Sequence, residues 1–211
     1  MIEIRRYVSG LLASNMYVVV EGDRAVVIDP FEDTSPGAGL TVEHILLTHE
    51  HYDHISGVNA WKKAFGAPVL CSGPCAVNVR DPRKNLAYYF GEFCKLQTWV
   101  TLDAVPMYDP DYSCAADEVF HDRFAFEWCG HSWELFELPG HSIGSVGIVL
   151  DGRVFFSGDS LMENTQTAVN MPGGSRKKWM AVSLPRLREL PEGTCVYPGH
   201  FNGFTYSEDT I

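Results

Sequence analysis

A chain of 211 residues suffices for one well-packed domain and leaves too little core for two, and 45% apolar against 20% charged residues is an ordinary globular composition, neither disordered nor collagenous. The net charge of −11 argues against nucleic acid as a partner, because neutralising phosphates takes clustered Lys and Arg, and the one basic cluster, Arg176, Lys177 and Lys178, is short. No apolar run approaches the length of a membrane span, no secretory core follows Arg5 and Arg6, and six scattered cysteines contain no Cys-x-x-Cys pair, so a cytoplasmic protein with reduced thiols and no membrane partner is expected.

In chain order, residues 2–8, 16–21 and 25–29 read as strands separated by turn residues such as Gly22 and Asp23, most economically an antiparallel meander. Residues 42–48 form a short buried strand. Helical spacing of Ile55, Val58, Trp61, Ala64 and Phe65 predicts a helix over 55–65, stopped by Gly66 and Pro68, with a strand beginning at 69–71. From 73 to about 116 the signals are mixed, with one aromatic-rich helix over 85–95. Strands follow at 124–128 and 133–138, then 145–150 and 153–156 make a hairpin across Asp151 and Gly152. A helix over 176–190 precedes a last strand at 194–197. Strands mixed with a few helices in both halves predict an α+β unit of packed sheets covered by helices.

The segment 48–54 reads T-H-E-H-Y-D-H, which places His49, His51, Asp53 and His54 where a buried strand gives way to a helix. Imidazole and carboxylate are donors that zinc and iron accept, and a loop at a strand end can aim successive side chains inward; a solvated polar turn has no reason to favour histidine. Three further candidates follow apolar runs in the same manner: His141 in P-G-H-S, Asp159 in S-G-D-S and His200 in P-G-H-F. Each has a glycine before it, which permits tight turns and close approach. Singly each reads as a turn residue; together with 48–54 they form a constellation.

This pattern resembles the metallo-β-lactamase fold superfamily, and within it the glyoxalase II branch, over nearly the whole chain. The resemblance implies a four-layer αββα sandwich of two mixed β-sheets flanked by helices, spanning 1–211 as one unit with an insertion around 73–122. It also implies two divalent metal ions, zinc foremost, with iron or manganese as alternatives. His49, His51 and His141 would hold the first ion, Asp53, His54 and His200 the second, and Asp159 would bridge both. A hydroxide shared by the ions would attack a small ester or thioester, with Asp53 orienting it. Asp29, in V-I-D-P, matches an acidic strand-end position that supports a ligand histidine from behind, against a plain Asp-Pro turn.

Several features separate this chain from particular relatives. Flavodiiron-type proteins carry Glu where His51 stands. True metallo-β-lactamases generally lack the carboxylate that Asp159 supplies, which disfavours antibiotic hydrolysis. Glyoxalase II adds a C-terminal helical domain with glutathione contacts, whereas this chain ends eleven residues after His200. The alternatives left open are a mononuclear iron enzyme like the persulfide dioxygenases and a lactonase or phosphodiesterase; seven intact ligand positions argue against a non-enzymatic role in metal binding or partner recognition.

His44, His121 and His131 lie outside the motifs and read as surface or core residues, while Glu50 and Tyr52 face either solvent or the pocket. The aromatics of the insertion, Tyr88, Tyr89, Phe90, Phe93, Trp99, Tyr108 and Tyr112, with Met107, suit a lid shaping an apolar pocket for a small-molecule substrate, a homodimer contact, or a satellite core. Arg176, Lys177 and Lys178 suit either an anionic group of the substrate or a solvated helix start.

Overall fold

The computed structural model describes residues 1–96 and 108–211. The chain folds into two six-stranded sheets packed face to face. The first has strand order β1 (Glu3–Val8), β2 (Asn15–Glu21), β3 (Arg24–Ile28), β4 (Thr41–Leu46), β5 (Val69–Ser72), β6 (Glu118–Phe120). The second runs β12 (Phe204–Thr205), β11 (Cys195–Pro198), β10 (Val154–Gly158), β9 (Val146–Leu150), β8 (His131–Glu137), β7 (Arg123–Trp128). The expected meander is present: β1, β2 and β3 pair antiparallel, after which β4, β5 and β6 join in parallel.

Three apolar layers hold this architecture together. Between the sheets, Tyr17, Val19, Val26, Ile28 and Leu46 meet Trp133, Leu135, Ile148 and Phe156. Residues of opposite parity on the first sheet, such as Met16, Val18, Val27 and Ile45, pack instead against α1 (Tyr52–Ile55), α2 (Val58–Phe65), α3 (Gly73–Asn78) and α4 (Phe90–Leu96). On the far side of the second sheet, Phe136, Leu138, Phe155 and Val196 receive Leu187 from the helical run α5 (Arg176–Lys178) to α6 (Leu184–Leu187). Burial on both faces explains why β2 reads as an unbroken apolar run rather than alternating. The order helix, sheet, sheet, helix is the αββα sandwich.

Some boundaries differ from expectation for local reasons. The helix expected over 55–65 is two, α1 and α2, because the chain at Gly57 crosses the backbone of Phe31 so closely that a Cβ would sit 2.0 Å from its carbonyl oxygen. The helix expected over 85–95 begins only at Phe90, after a 3-10 turn over Ala87–Tyr89. Buried Asn85 anchors that turn, donating to Tyr112 O at 2.9 Å and accepting from Ala87 N. Between α5 and α6 the chain widens into a π turn, Trp179–Ser183, just ahead of Pro185, which has no N–H to give. Three short elements, α3, β6 and β12, were not anticipated. Within 73–122 the described residues supply α3, α4 and β6, while Trp99 and Met107 lie outside the described residues.

Candidate metal centre

The strands aim all the candidate residues at one edge. Asp29 follows β3, His49 and His51 follow β4, and Asp53 and His54 lie on α1 immediately beyond. His141 follows β8, Asp159 follows β10 and His200 follows β11. Because β8, β10 and β11 run the same way, their C-terminal ends share that edge. The start of β2 closes it, with Ser14 bridging to His200 and its hydroxyl donating to Asp53 O at 2.7 Å.

Two triads result. Ligand atoms of His49, His51 and His141 lie within 4.8 Å of one another, with His141 Nε2 and His51 Nδ1 3.0 Å apart. In the second, His54 Nε2 is 3.3 Å from His200 Nε2, and Asp53 Oδ2 is 3.5 Å from the former and 3.4 Å from the latter. Asp159 stands between them: one oxygen is 3.5 Å from His54 Nε2, the other 3.4 Å from His141 Nε2 and 3.5 Å from His200 Nε2.

Four donors about 2.1 Å from a tetrahedral zinc ion are roughly 3.4 Å apart, so these edges are those of a coordination polyhedron. The pattern of unpartnered atoms agrees. His49 Nε2 and Asp159 Oδ1 are buried without a hydrogen-bond partner, a costly state unless something else engages them. The donor set fits divalent metal.

Hydrogen bonds behind the donors hold them in place. Asp29 Oδ2 accepts from His54 Nδ1 at 3.1 Å and from the Thr48 hydroxyl, while Oδ1 accepts Thr48 N–H at 2.7 Å. Thr48 Oγ1 in turn lies 3.0 Å from His49 Nδ1, so one carboxyl group orients a histidine of each triad and leaves both Nε2 atoms facing inward. His141 Nδ1 donates to Ala168 O at 3.0 Å and His200 Nδ1 to Leu12 O at 3.1 Å. Asp29 sits at a left-handed φ of 50°, which swings its carboxyl under the motif. Sequence reasoning missed Thr48, although a hydroxyl residue directly before H-x-H at a strand end is a usable signal. It also left Glu50 open. Glu50 is buried behind His141, accepting from Asn78 Nδ2 and from Ser142 Oγ, both at 2.8 Å.

Two of the expected glycines do work by close approach. A Cβ at Gly199 would lie 2.2 Å from Asp159 Oδ1, and one at Gly158, whose φ is +49°, would lie 2.5 Å from Thr48 Oγ1. Gly140 differs from expectation: it makes room for Trp179 rather than for a donor.

The electrostatics separate the triads. Burial lowers His51 and His141 to about 4 and His49 well below its ordinary value, so these imidazoles are neutral with lone pairs available. Burial works in the same direction on His54, but Asp53, Asp159 and Asp29 outweigh it and hold that ring up at about 9; His200 is likewise raised, by Asp159 and Asp53. Asp159 is held well below the usual carboxylate range by His200 and His54 against its burial, and Asp53 is lowered too. Asp29 is pushed up by burial.

The remaining histidines stand apart from the cluster. His44 packs on Phe126 with ring centroids 5.1 Å apart, His121 is exposed beside Gly73, and His131 Nδ1 meets Asp151 Oδ2 at 2.6 Å. The six cysteines are all free. Among the described residues no helix is long and apolar enough to cross a membrane.

A helix-flanked double sheet with buried histidines and aspartates gathered at one edge defines a metal-binding αββα protein. Residues 9–200 match the family described as the Metallo-beta-lactamase superfamily, and the chain belongs to it. It is 26% identical over 204 residues to a probable metallo-hydrolase of Bacillus subtilis, covering 93% of this chain and 89% of that one. It is 27% identical over 192 residues to the hydroxyacylglutathione hydrolase of Shewanella pealeana, covering 91% of this chain and only 58% of that enzyme. Among solved structures, the BLEG-1 B3 metallo-beta-lactamase superposes with a TM-score of 0.80 at 26% identity, covering 99% and 96% of the two chains. TTHA1623 in a di-iron-bound form gives 0.70 at 28% identity, over 95% and 94%.

Proposed function

We propose that this chain is a hydrolase dependent on two divalent cations, zinc foremost, that cleaves a small ester or thioester. The observation that carries the reading is Asp159, whose two oxygens reach both triads at 3.4–3.5 Å. The di-iron form of a 28% identical structure supports a paired site, and iron is the alternative metal. Such cations, when bound, lower the pKa of water toward 7 and polarise a carbonyl, so no serine or cysteine nucleophile is needed.

The protein's part is positioning. His49, His51 and His141 form the first site, Asp53, His54 and His200 the second, with Asp159 shared. Asp53 also lines the cleft beside the centre, where its carboxylate would accept a hydrogen bond from the attacking hydroxide and orient it. Asp29 and Thr48 hold the Nδ1 protons of His54 and His49, so that the nitrogen a cation would take from each ring is Nε2, on His54 by displacing the second proton that the neighbouring carboxylates favour.

The test is elemental analysis of the purified protein followed by turnover of thioesters, lactones and phosphodiesters. About two ions per chain with thioester or ester cleavage support the reading; one iron with oxygen consumption on a persulfide refutes it. A β-lactam amide is the second reading, favoured by the superposition on BLEG-1 over nearly the full length of both chains; hydrolysis of a chromogenic cephalosporin faster than of any ester would establish it.

A further inference from the structure

His51 and Asp53 form one end of a cleft whose walls are Leu12, Tyr52, Tyr89, Phe90, Phe93 and Met171. These walls are anchored. The Tyr52 ring meets Phe90 edge-on at 5.1 Å and Tyr112 at 5.3 Å, its hydroxyl accepts Asp109 N–H at 3.0 Å, and the Tyr112 hydroxyl donates to Ile55 O at 2.6 Å. Tyr52 thereby joins the motif helix α1 to the segment that carries α4.

Charge is as informative as shape here. No Lys or Arg lines the cleft among the described residues, and residues 97–107 contain neither. Arg176, Lys177 and Lys178 are exposed on α5 and do not reach it, and the guanidinium of Arg83 stacks outside on Tyr88 at 4.7 Å. Asp53 is the one charged wall residue among the described residues and stands at the metal end, so a carboxylate carried past it meets apolar side chains and no cation. A larger hollow on the outer face of β7, β8 and β9, beside Glu127, Glu134 and Val149, has no cluster of metal-ligating side chains among the described residues.

We propose that this cleft binds an uncharged, apolar acyl or aryl group of the substrate, and that it rejects acyl groups bearing a carboxylate. The inference rests on the metal-hydrolase reading for its chemistry and on the cleft alone for its selectivity. A buried methylene is worth about 0.8 kcal/mol, so each one added to a p-nitrophenyl ester from acetate to hexanoate raises kcat/KM about fourfold until the cleft is filled. The p-nitrophenyl hemisuccinate is cleaved at least about tenfold more slowly than the butyrate, since its carboxylate is desolvated among Leu12, Phe90 and Phe93, away from the cations.

The experiment pairs that series, on zinc-loaded protein, with binding of the uncharged dye N-phenyl-1-naphthylamine to metal-free protein. Phe93→Lys weakens the dye by about tenfold and flattens the chain-length series, whereas Phe93→Leu retains both and controls for folding. Hemisuccinate turned over as fast as butyrate, or dye affinity unchanged in Phe93→Lys, overturns the proposal while leaving the hydrolase intact. If neither these esters nor the matching thioesters are cleaved at all, the hydrolase reading fails. Dye binding that is weakened in Phe93→Lys and displaced by hexanoate esters still supports the apolar cleft, and its absence from the wild type overturns it.

Discussion

Changing Asp29 to Asn probes the support beneath both triads with almost no change in volume. The carboxyl group is buried and accepts three hydrogen bonds, from Thr48 N–H, the Thr48 hydroxyl and His54 Nδ1. An amide offers one acceptor oxygen and two donors. If the oxygen stays on Thr48 N–H, the new NH2 faces His54 Nδ1, and the ring escapes that donor–donor contact only by moving its proton to Nε2, the atom 3.3 Å from His200 Nε2. Either one buried donor is left unsatisfied, at about 1–3 kcal/mol, or the second site loses a ligand lone pair. Support of this kind is worth about 10–100-fold in metal affinity. Chelator competition with zinc, read alongside a melting curve, measures both effects. Thr48→Val sharpens the test, because it removes the link to His49 and the hydroxyl's bond to Asp29 while leaving Asp29 on His54 Nδ1 and on the backbone N–H of residue 48: about tenfold weaker binding at the first site, with the second largely preserved. Full zinc affinity in a folded Asp29→Asn protein would refute the support described here.

Other outcomes follow from the same geometry. Asp159→Ala removes the shared carboxylate from a surround of histidines and leaves a folded chain that has lost at least about 100-fold in hydrolysis and has a weakened second metal equivalent, measured by elemental analysis and steady-state kinetics. Glu50→Ala orphans Asn78 Nδ2 and Ser142 Oγ and lowers stability by about 2–4 kcal/mol, while Glu50→Gln keeps most of it; urea melts decide. Gly199→Ala drives a methyl into Asp159 Oδ1 and reduces metal stoichiometry without removing any donor.

In the metal-free protein, His54, raised to about 9 from an unfolded value near 6.5, contributes stability that is complete below 6.5 and fades as pH rises through 9. His51 and His141, lowered to about 4, act in reverse, and their stability is lost as pH falls from 6.5 through 4. Melting temperatures in chelator therefore peak near neutrality and decline on both sides; a monotonic rise to pH 10 would contradict the His54 assignment.

The candidate donors that the structure brings together were legible in the sequence because coordination restricts residue type. His49, His51, Asp53 and His54 in six positions leave few other readings, and Gly158 and Gly199 beside Asp159 and His200 mark places where a side chain cannot stand. The supports were harder to see for an equally physical reason. His141 and His200 are oriented by the carbonyls of Ala168 and Leu12, and every residue carries a carbonyl. The break at Gly57 depends on Phe31, distant in the chain, so helical spacing alone runs through it. The strands β6 and β12, three and two residues long, are too brief to show a period. Ser72 capping α3 through Cys75 N was present as a Ser-Gly-Pro signal, but a helix of six residues has too little apolar spacing to confirm it.

Anomalous diffraction from crystals of the zinc-loaded protein tests the central claim most directly. Two peaks are predicted, one enclosed by His49, His51 and His141, the other by Asp53, His54 and His200, with Asp159 reaching both. A single ion with Asp159 turned away, or ions held elsewhere on the chain, would contradict it.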